Sequence, residues 1–223
     1  MPGKLCYFGL GGRAESIRAL IAHKGGFDYE DERVDFAKLG EWKASGYSPM
    51  GALPIWDEDG HVFMQGNAIM RMLGIRFGGY YSEDPQIAYN IDSLMDFQED
   101  ILGKFGGYLF PAVTGSGEIG SGSVNREQHM TLFWDKQIAV VEGRLSGHGK
   151  PFVAGTDTPT IADFKLFAQV SIGLSDTNAA CKMPQADQDE IMAKINAAPC
   201  YAQWRERMKS ELSAYLAATA RPL

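Results

Sequence analysis

Cysteine is scarce in this chain: Cys6, Cys181 and Cys200 are the only three in 223 residues, and they are widely separated. Such spacing fits neither a disulfide framework nor a zinc site. No Cys-x-x-Cys pair is present for dithiol exchange. Long apolar runs are also missing, and nothing approaches the roughly 18 residues a membrane-spanning helix needs. Positive charge is in deficit, with 21 lysines and arginines against 28 acidic residues and a net charge of −7. That balance argues against nucleic acid or an anionic membrane surface as the main partner. The first residues, Met1-Pro-Gly-Lys4, hold no hydrophobic signal core, so the expected location is cytoplasmic.

What remains is an ordinary globular composition, 45% hydrophobic and 22% charged. The first eighty or so residues alternate strand and helix patterns. Leu5–Phe8 is a compact apolar run, and Ile17, Leu20 and Ile21 then recur at helical spacing until Gly25-Gly26. Phe27–Val34 reads as a charged edge strand. Leu53–Trp56, the acidic turn Asp57–Gly60, and His61–Met64 read as a hairpin, followed by a helix over Asn67–Phe77. Beyond Gly78-Gly79 the strand signal disappears. One long helix is marked by Ile87, Ile91, Leu94, Met95, Ile101 and Leu102, another by Met130, Phe133, Trp134, Ile138, Val141 and Leu145. Gly115–Ser123 between them reads as a flexible loop without assigned function, and later helices begin near Thr160, Asp187 and Tyr201. The expected division is an α/β domain over residues 1–80 and an all-α domain over 87–223. No internal repeat is visible.

The segment Lys4–Arg18 is the most informative, because it joins a strand, a glycine turn and a helix start. Tyr7 stands where the strand stops, which puts its hydroxyl beside the unpaired amides and positive dipole end of the following helix. Two anions compete for that place. Gly9-Leu-Gly11-Gly12-Arg13-Ala14 matches the G-x-G-x-x-A dinucleotide pattern, and Glu30–Glu32 lie about twenty positions on, where a ribose carboxylate belongs. Against a dinucleotide, the third and fourth strands form a hairpin, and no second βαβ half follows. The rival order β-α-β-α-β-β-α is thioredoxin-like and requires a proline at the start of the third strand. Pro54 supplies it, as an edge residue or a cis turn that would leave the Leu53 backbone free for an extended peptide ligand.

Tyr7-Phe8 followed by Gly12-Arg-Ala-Glu15, then Leu53-Pro54, then Gln65-Gly-Asn-Ala-Ile69, resembles a cytosolic glutathione transferase of the tyrosine type, the sigma, pi and mu group. Pro151-Phe-Val-Ala-Gly155 and Thr158-Pro-Thr-Ile-Ala-Asp163 are similar to that family's later signature, so the match spans nearly the whole chain. The resemblance implies a thioredoxin-like amino-terminal domain, an all-α carboxy-terminal domain, a homodimer, glutathione as co-substrate and no metal. The implied activity joins the glutathione thiolate to small, often apolar electrophiles in detoxification. A glutathione-dependent isomerase and a non-catalytic structural or binding protein remain alternatives.

On the same footing, Tyr7 is the implied catalytic residue, donating a hydrogen bond to the sulfur. A thiol of pKa about 8.5 is only a few per cent ionised at neutral pH. Gln65, Gly66 and Asn67 are implied to receive the γ-glutamyl carboxylate; relatives usually carry serine where this chain has Gly66. Leu53 and Pro54 would hold the ligand backbone, Trp42 or Lys43 its glycyl carboxylate, and Asp100 of the partner subunit its ammonium. Arg13 would support the helix start, while Gly11 stands where relatives often have a further arginine. Phe8 and Leu10 are expected on one side of the electrophile pocket, with Tyr108 and Phe110 on another. Thr160–Asp163 reads as a capping box serving stability rather than catalysis.

Overall fold

The computed structural model describes residues 3–175 and 182–219. Strand β1, Gly3–Phe8, runs parallel to β2, Tyr29–Val34, through helix α1, Glu15–Lys24. Helix α2, Phe36–Ser45, leads to β3, Ile55–Glu58, and β4, His61–Met64, and α3, Gly66–Phe77, closes this part. The sheet order is β2-β1-β3-β4, with β3 antiparallel to both β1 and β4. This is the thioredoxin-like arrangement. The hairpin turn is tighter than expected: Asp57 and Glu58 belong to β3, and only Asp59 (φ 53°) and Gly60 (φ 85°) turn the chain. Two successive positive φ values suit the right-handed twist of a two-residue hairpin.

The remainder is helical among the described residues. Helix α4, Pro85–Thr114, starts with Pro85 in its first turn and Asp84 accepting the Gln86 and Ile87 amides, a favourable start on both counts. Helices α5, Arg126–His129, and α6, Asp135–His148, are joined by a π turn over Met130–Trp134. Then follow α7, Ile161–Ser175; α8, Gln185–Asn196; α9, Pro199–Glu211; and a short α10, Ser213–Ala218, which the periodicity did not reveal. No helix among the described residues is long and apolar enough to cross a membrane. Cys6 and Cys200 are free thiols, and Cys181 lies outside the described residues.

One core runs through both parts: Leu5, Ile17 and Leu20 join Ile91 and Leu94 of α4, Phe164 of α7 and Trp204 of α9. Helices α3 and α7 approach so closely that a Cβ on Gly74 would lie 2.7 Å from the Ile161 side chain. The α/β part is therefore held against the helices by packing as well as by chain connection.

The π turn carries a side-chain contact of its own. It aligns residues five apart, and the Trp134 indole donates to His129 Nε2 at 2.9 Å. With Nε2 accepting, the ring proton sits on Nδ1, facing the Lys104 carbonyl at 3.4 Å. Burial lowers the His129 pKa to about 4, so the ring is neutral at pH 7. A folded pKa below the unfolded value of about 6.5 gives stability that is complete above that value and lost as pH falls. Between pH 7 and pH 4.5 this ring is expected to remove about 2–3 kcal/mol. Urea unfolding of the wild type and of His129→Gln at both pH values measures it, with the variant showing the smaller drop. An equal drop in both proteins would place the acid sensitivity elsewhere.

Candidate active site

The strand β1 ends at Phe8, and a 3-10 turn over Gly12–Ala14 precedes α1. Tyr7 projects from the strand end against this turn, and the Arg13 amide donates to its hydroxyl at 3.0 Å. The hydroxyl is thus held as an acceptor from the backbone, and its own proton remains for a ligand. Burial pushes the Tyr7 pKa up against the opposing Arg13 amide and arginine charges, so the phenol is a neutral donor. Gly12 allows this fit: at φ 48°, a Cβ there would come within 2.5 Å of the Tyr7 oxygen.

The turn is tied down by Arg18. Its guanidinium donates to the Leu10 and Gly11 carbonyls at 3.2 Å each. It also takes both carboxylate oxygens of Asp31 and lies 5.9 Å from the Tyr7 ring centroid. Sequence reasoning missed Arg18 in this role. The available signal was a charge on the helix face that Ile17, Leu20 and Ile21 otherwise make apolar. Asp31, within the acidic stretch considered for ribose, is occupied by Arg18 and Arg33.

Leu53-Pro54 is a cis peptide. Among the described residues, neither the Leu53 amide nor its carbonyl joins a backbone hydrogen bond. Gly66, the first residue of α3, lies beside both features, since a Cβ there would sit 3.7 Å from Pro54 and 3.8 Å from the Arg13 carbonyl. Helix α3 carries no side-chain cap, unlike α2 and α4, which Asp35 and Asp84 cap. The residue before it, Gln65, has φ 72°, a strained conformation for a residue with a Cβ. The first residue of α3 therefore lies next to Arg13 and Pro54, with no side chain capping the helix start. The Asn67 side chain instead donates to the Met95 carbonyl at 3.1 Å, so only its main chain belongs to this end.

A cavity of about 650 Å³ opens beside Tyr7. Tyr7, Phe8, Leu10, Arg13, Leu53 and Phe110 are brought together in its lining. Helix α4 contributes Gly103, Gly106 and Gly107, and a Cβ on either Gly103 or Gly106 would meet nothing within 4 Å. Packing therefore does not demand those two glycines, and their absent side chains widen the cavity.

The chain is 31% identical over 153 residues to glutathione S-transferase 1 of Ascaris suum, covering 68% of this chain and 71% of that protein. It is 30% identical over 210 residues to glutathione S-transferase 4 of Caenorhabditis elegans, covering 89% and 93% respectively. This chain belongs to the glutathione S-transferase family. The solved structure of NaGST-2 agrees in fold, with a TM-score of 0.73 at 25% identity, over 96% of this chain and 95% of that one. No protein-family model matches the chain.

One transferase-type expectation is overturned, and the surroundings of the others become visible. Tyr108 does not face the cavity: it donates to Asp187 Oδ2 at 2.5 Å and stacks on His129 with ring centroids 4.3 Å apart. Its position on α4 turns it toward the helical core, where the phenol finds a carboxylate. Trp42 is buried with Cys6, Ile55 and Met64, whereas Lys43 is exposed and its aliphatic stem lies over Gly51. Asp100 is exposed on α4, and it is the adjacent Glu99 that pairs with Arg13. Several cavity contributors were not anticipated, among them Phe36 and the loop after α4. Phe36 packs against Phe8 in a tilted pair with ring centroids 4.7 Å apart, and the loop supplies Ser116, Gly122 and Ser123. That loop, expected to be flexible, is tied by the Ser116 and Gly117 amides to the Pro111 carbonyl, and by the Gly120 amide to that of Tyr108.

Proposed function

We propose that this chain joins the thiolate of glutathione to small apolar electrophiles, with Tyr7 as the residue that favours thiolate over thiol. The observation that carries the reading is the Tyr7 hydroxyl, fixed by the Arg13 amide at the edge of a large apolar cavity. The sulfur would receive the phenolic proton's hydrogen bond beside the positive end of α1. Leu53 would pair with the cysteinyl backbone of the ligand. The amides of Gln65, Gly66 and Asn67 would receive the γ-glutamyl carboxylate at the uncapped start of α3. The exposed ammonium of Lys43 suits the glycyl carboxylate better than the buried Trp42. The electrophile would lie in the cavity against Phe8, Leu10, Phe36 and Phe110. Its approach to a bound thiolate turns a bimolecular encounter into a positioned one.

In this reading the protein works as a homodimer in which Asp100 of one protomer reaches the γ-glutamyl ammonium in the other. The test of activity is retention on immobilised glutathione followed by conjugation of an activated aryl halide. Retention with turnover supports the reading. Retention without turnover would point to a glutathione-dependent isomerase or a binding protein, and absence of both would remove glutathione as the ligand.

Gly66 offers a graded test of the carboxylate site. A Cβ there makes only ordinary contacts, so Gly66→Ser fits without displacing Pro54 or Arg13. One added hydroxyl donor contributes about 1 kcal/mol. Calorimetric titration should show glutathione bound roughly fivefold tighter in the variant. Unchanged or weaker binding would place the carboxylate away from this helix start.

A further inference from the structure

Among the described residues, Lys165 is the one buried lysine. It projects from α7 into the interior with no solvent exposure and makes a close ion pair with Glu99 of α4. The other oxygen of Glu99 receives Arg13 Nε at 3.3 Å. Arg13 in turn presents its amide to the Tyr7 hydroxyl. A continuous chain of contacts therefore runs from a buried lysine to the proposed catalytic phenol. Burying an ammonium is costly, and an apolar side chain of similar size often serves stability as well or better. The fold alone gives no need for a charge there.

We propose that Lys165 is a positioning residue for the thiolate chemistry: through Glu99 it fixes Arg13, and it leaves this cluster with an excess positive charge beside Tyr7. The proposal rests on the thiolate reading above. Arg13 and Lys165 carry two positive charges against the single negative charge of Glu99. The remaining charges near Tyr7 belong to Arg18 and Glu15 of α1 and to Asp31 and Arg33 of β2, two of each sign, so they balance one another. Asp100, next along α4, is exposed. The net excess thus comes from the Arg13–Glu99–Lys165 cluster, and an anion forming at Tyr7 is favoured by it. Burial raises the Glu99 pKa, but Lys165 and Arg13 outweigh that and bring it below the ordinary value, so the central carboxylate stays ionised. Burial pulls the Lys165 pKa down against the attraction of Glu99. We assign it the charged form, because a neutral amine would leave Glu99 with only the half-exposed Arg13.

The test is the pH dependence of kcat/KM together with the ultraviolet titration of enzyme-bound glutathione thiolate. Lys165→Met removes one positive charge and should move the acid limb up by about half a pH unit, a roughly threefold loss of kcat/KM on that limb. Lys165→Met combined with Glu99→Gln leaves Arg13 as the cluster's one charge, so the net excess is unchanged and the limb should return toward its wild-type position. The double variant also contains no unpaired buried charge, so it remains informative if the single variant does not fold. A limb that stays in place in Lys165→Met, or a displaced limb in the double variant, would overturn the proposal. A wild type that shows no bound thiolate would instead overturn the underlying reading.

Discussion

Replacing Tyr7 with phenylalanine is expected to lower kcat about 100-fold near neutral pH, with glutathione affinity almost unchanged. A charge-assisted hydrogen bond to sulfur is worth about 1.5–3 kcal/mol, and two pKa units correspond to about 2.7 kcal/mol. Losing it returns most of the bound ligand to the thiol. Affinity survives because the ligand's carboxylates and backbone are held elsewhere, at α3 and Leu53 in the proposed reading. The change should be confined to chemistry, since Phe fills the same buried space and leaves the β1–α1 packing intact. Steady-state kinetics at several pH values measure it, and the loss should shrink as pH rises through the thiol pKa. A variant with full turnover at pH 6.5 would remove Tyr7 from the reaction.

Asp163→Ala is expected to destabilise the protein by about 3–6 kcal/mol, a large part of the usual stability of a folded domain. The carboxylate is wholly buried and accepts four hydrogen bonds. Oδ1 takes the Val153 amide at 3.0 Å and the Trp204 indole at 2.9 Å. Oδ2 takes the Thr160 amide at 2.8 Å and the Thr160 hydroxyl at 3.0 Å. Removing it leaves three buried N–H donors without partners, each worth about 1–3 kcal/mol. The same carboxylate joins the Pro151–Gly155 segment, the start of α7 and helix α9, so the loss should be cooperative. Urea unfolding monitored by tryptophan fluorescence gives the value. A change below about 1 kcal/mol would show that these donors find other partners.

Asp163 also illustrates how far a local motif can be read. The Thr160–Asp163 spacing gave the reciprocal contact from the acid to the cap amide. It did not give the other half, because the Thr160 hydroxyl donates to Asp163 rather than accepting an amide. Nor could it show that Val153 and Trp204 converge on the same oxygen, since Trp204 is 41 residues away in the chain.

The elements near Tyr7 were legible for a physical reason. Strand β1, the glycine turn and α1 are adjacent in sequence, and the hydroxyl's place beside the Arg13 amide follows from where a strand ends and a helix begins. Asp59-Gly60 fixed the hairpin, and Pro54 marked the start of the third strand. These features depend on backbone preferences within a few residues. Side-chain direction across long separations was not legible in the same way. Tyr108 and Phe110 stand two apart on one helix, yet Phe110 lines the cavity and Tyr108 reaches Asp187, 79 residues later. Lys165 and Glu99 meet across 66 residues, and the loop beyond α4 becomes part of the cavity only because it folds back over Tyr108.

By itself, the sequence determined the class of this protein: its order of strands and helices, its family, and the tyrosine placed at a helix start. Those are consequences of local pattern, which the chain carries in every conformation. Tertiary structure alone decided which charges are buried, which aromatics face the cavity, and how Arg18, Glu99 and Lys165 surround the turn that holds Tyr7. Those outcomes depend on packing between elements, where burial turns a pair of distant side chains into a strong electrostatic contact.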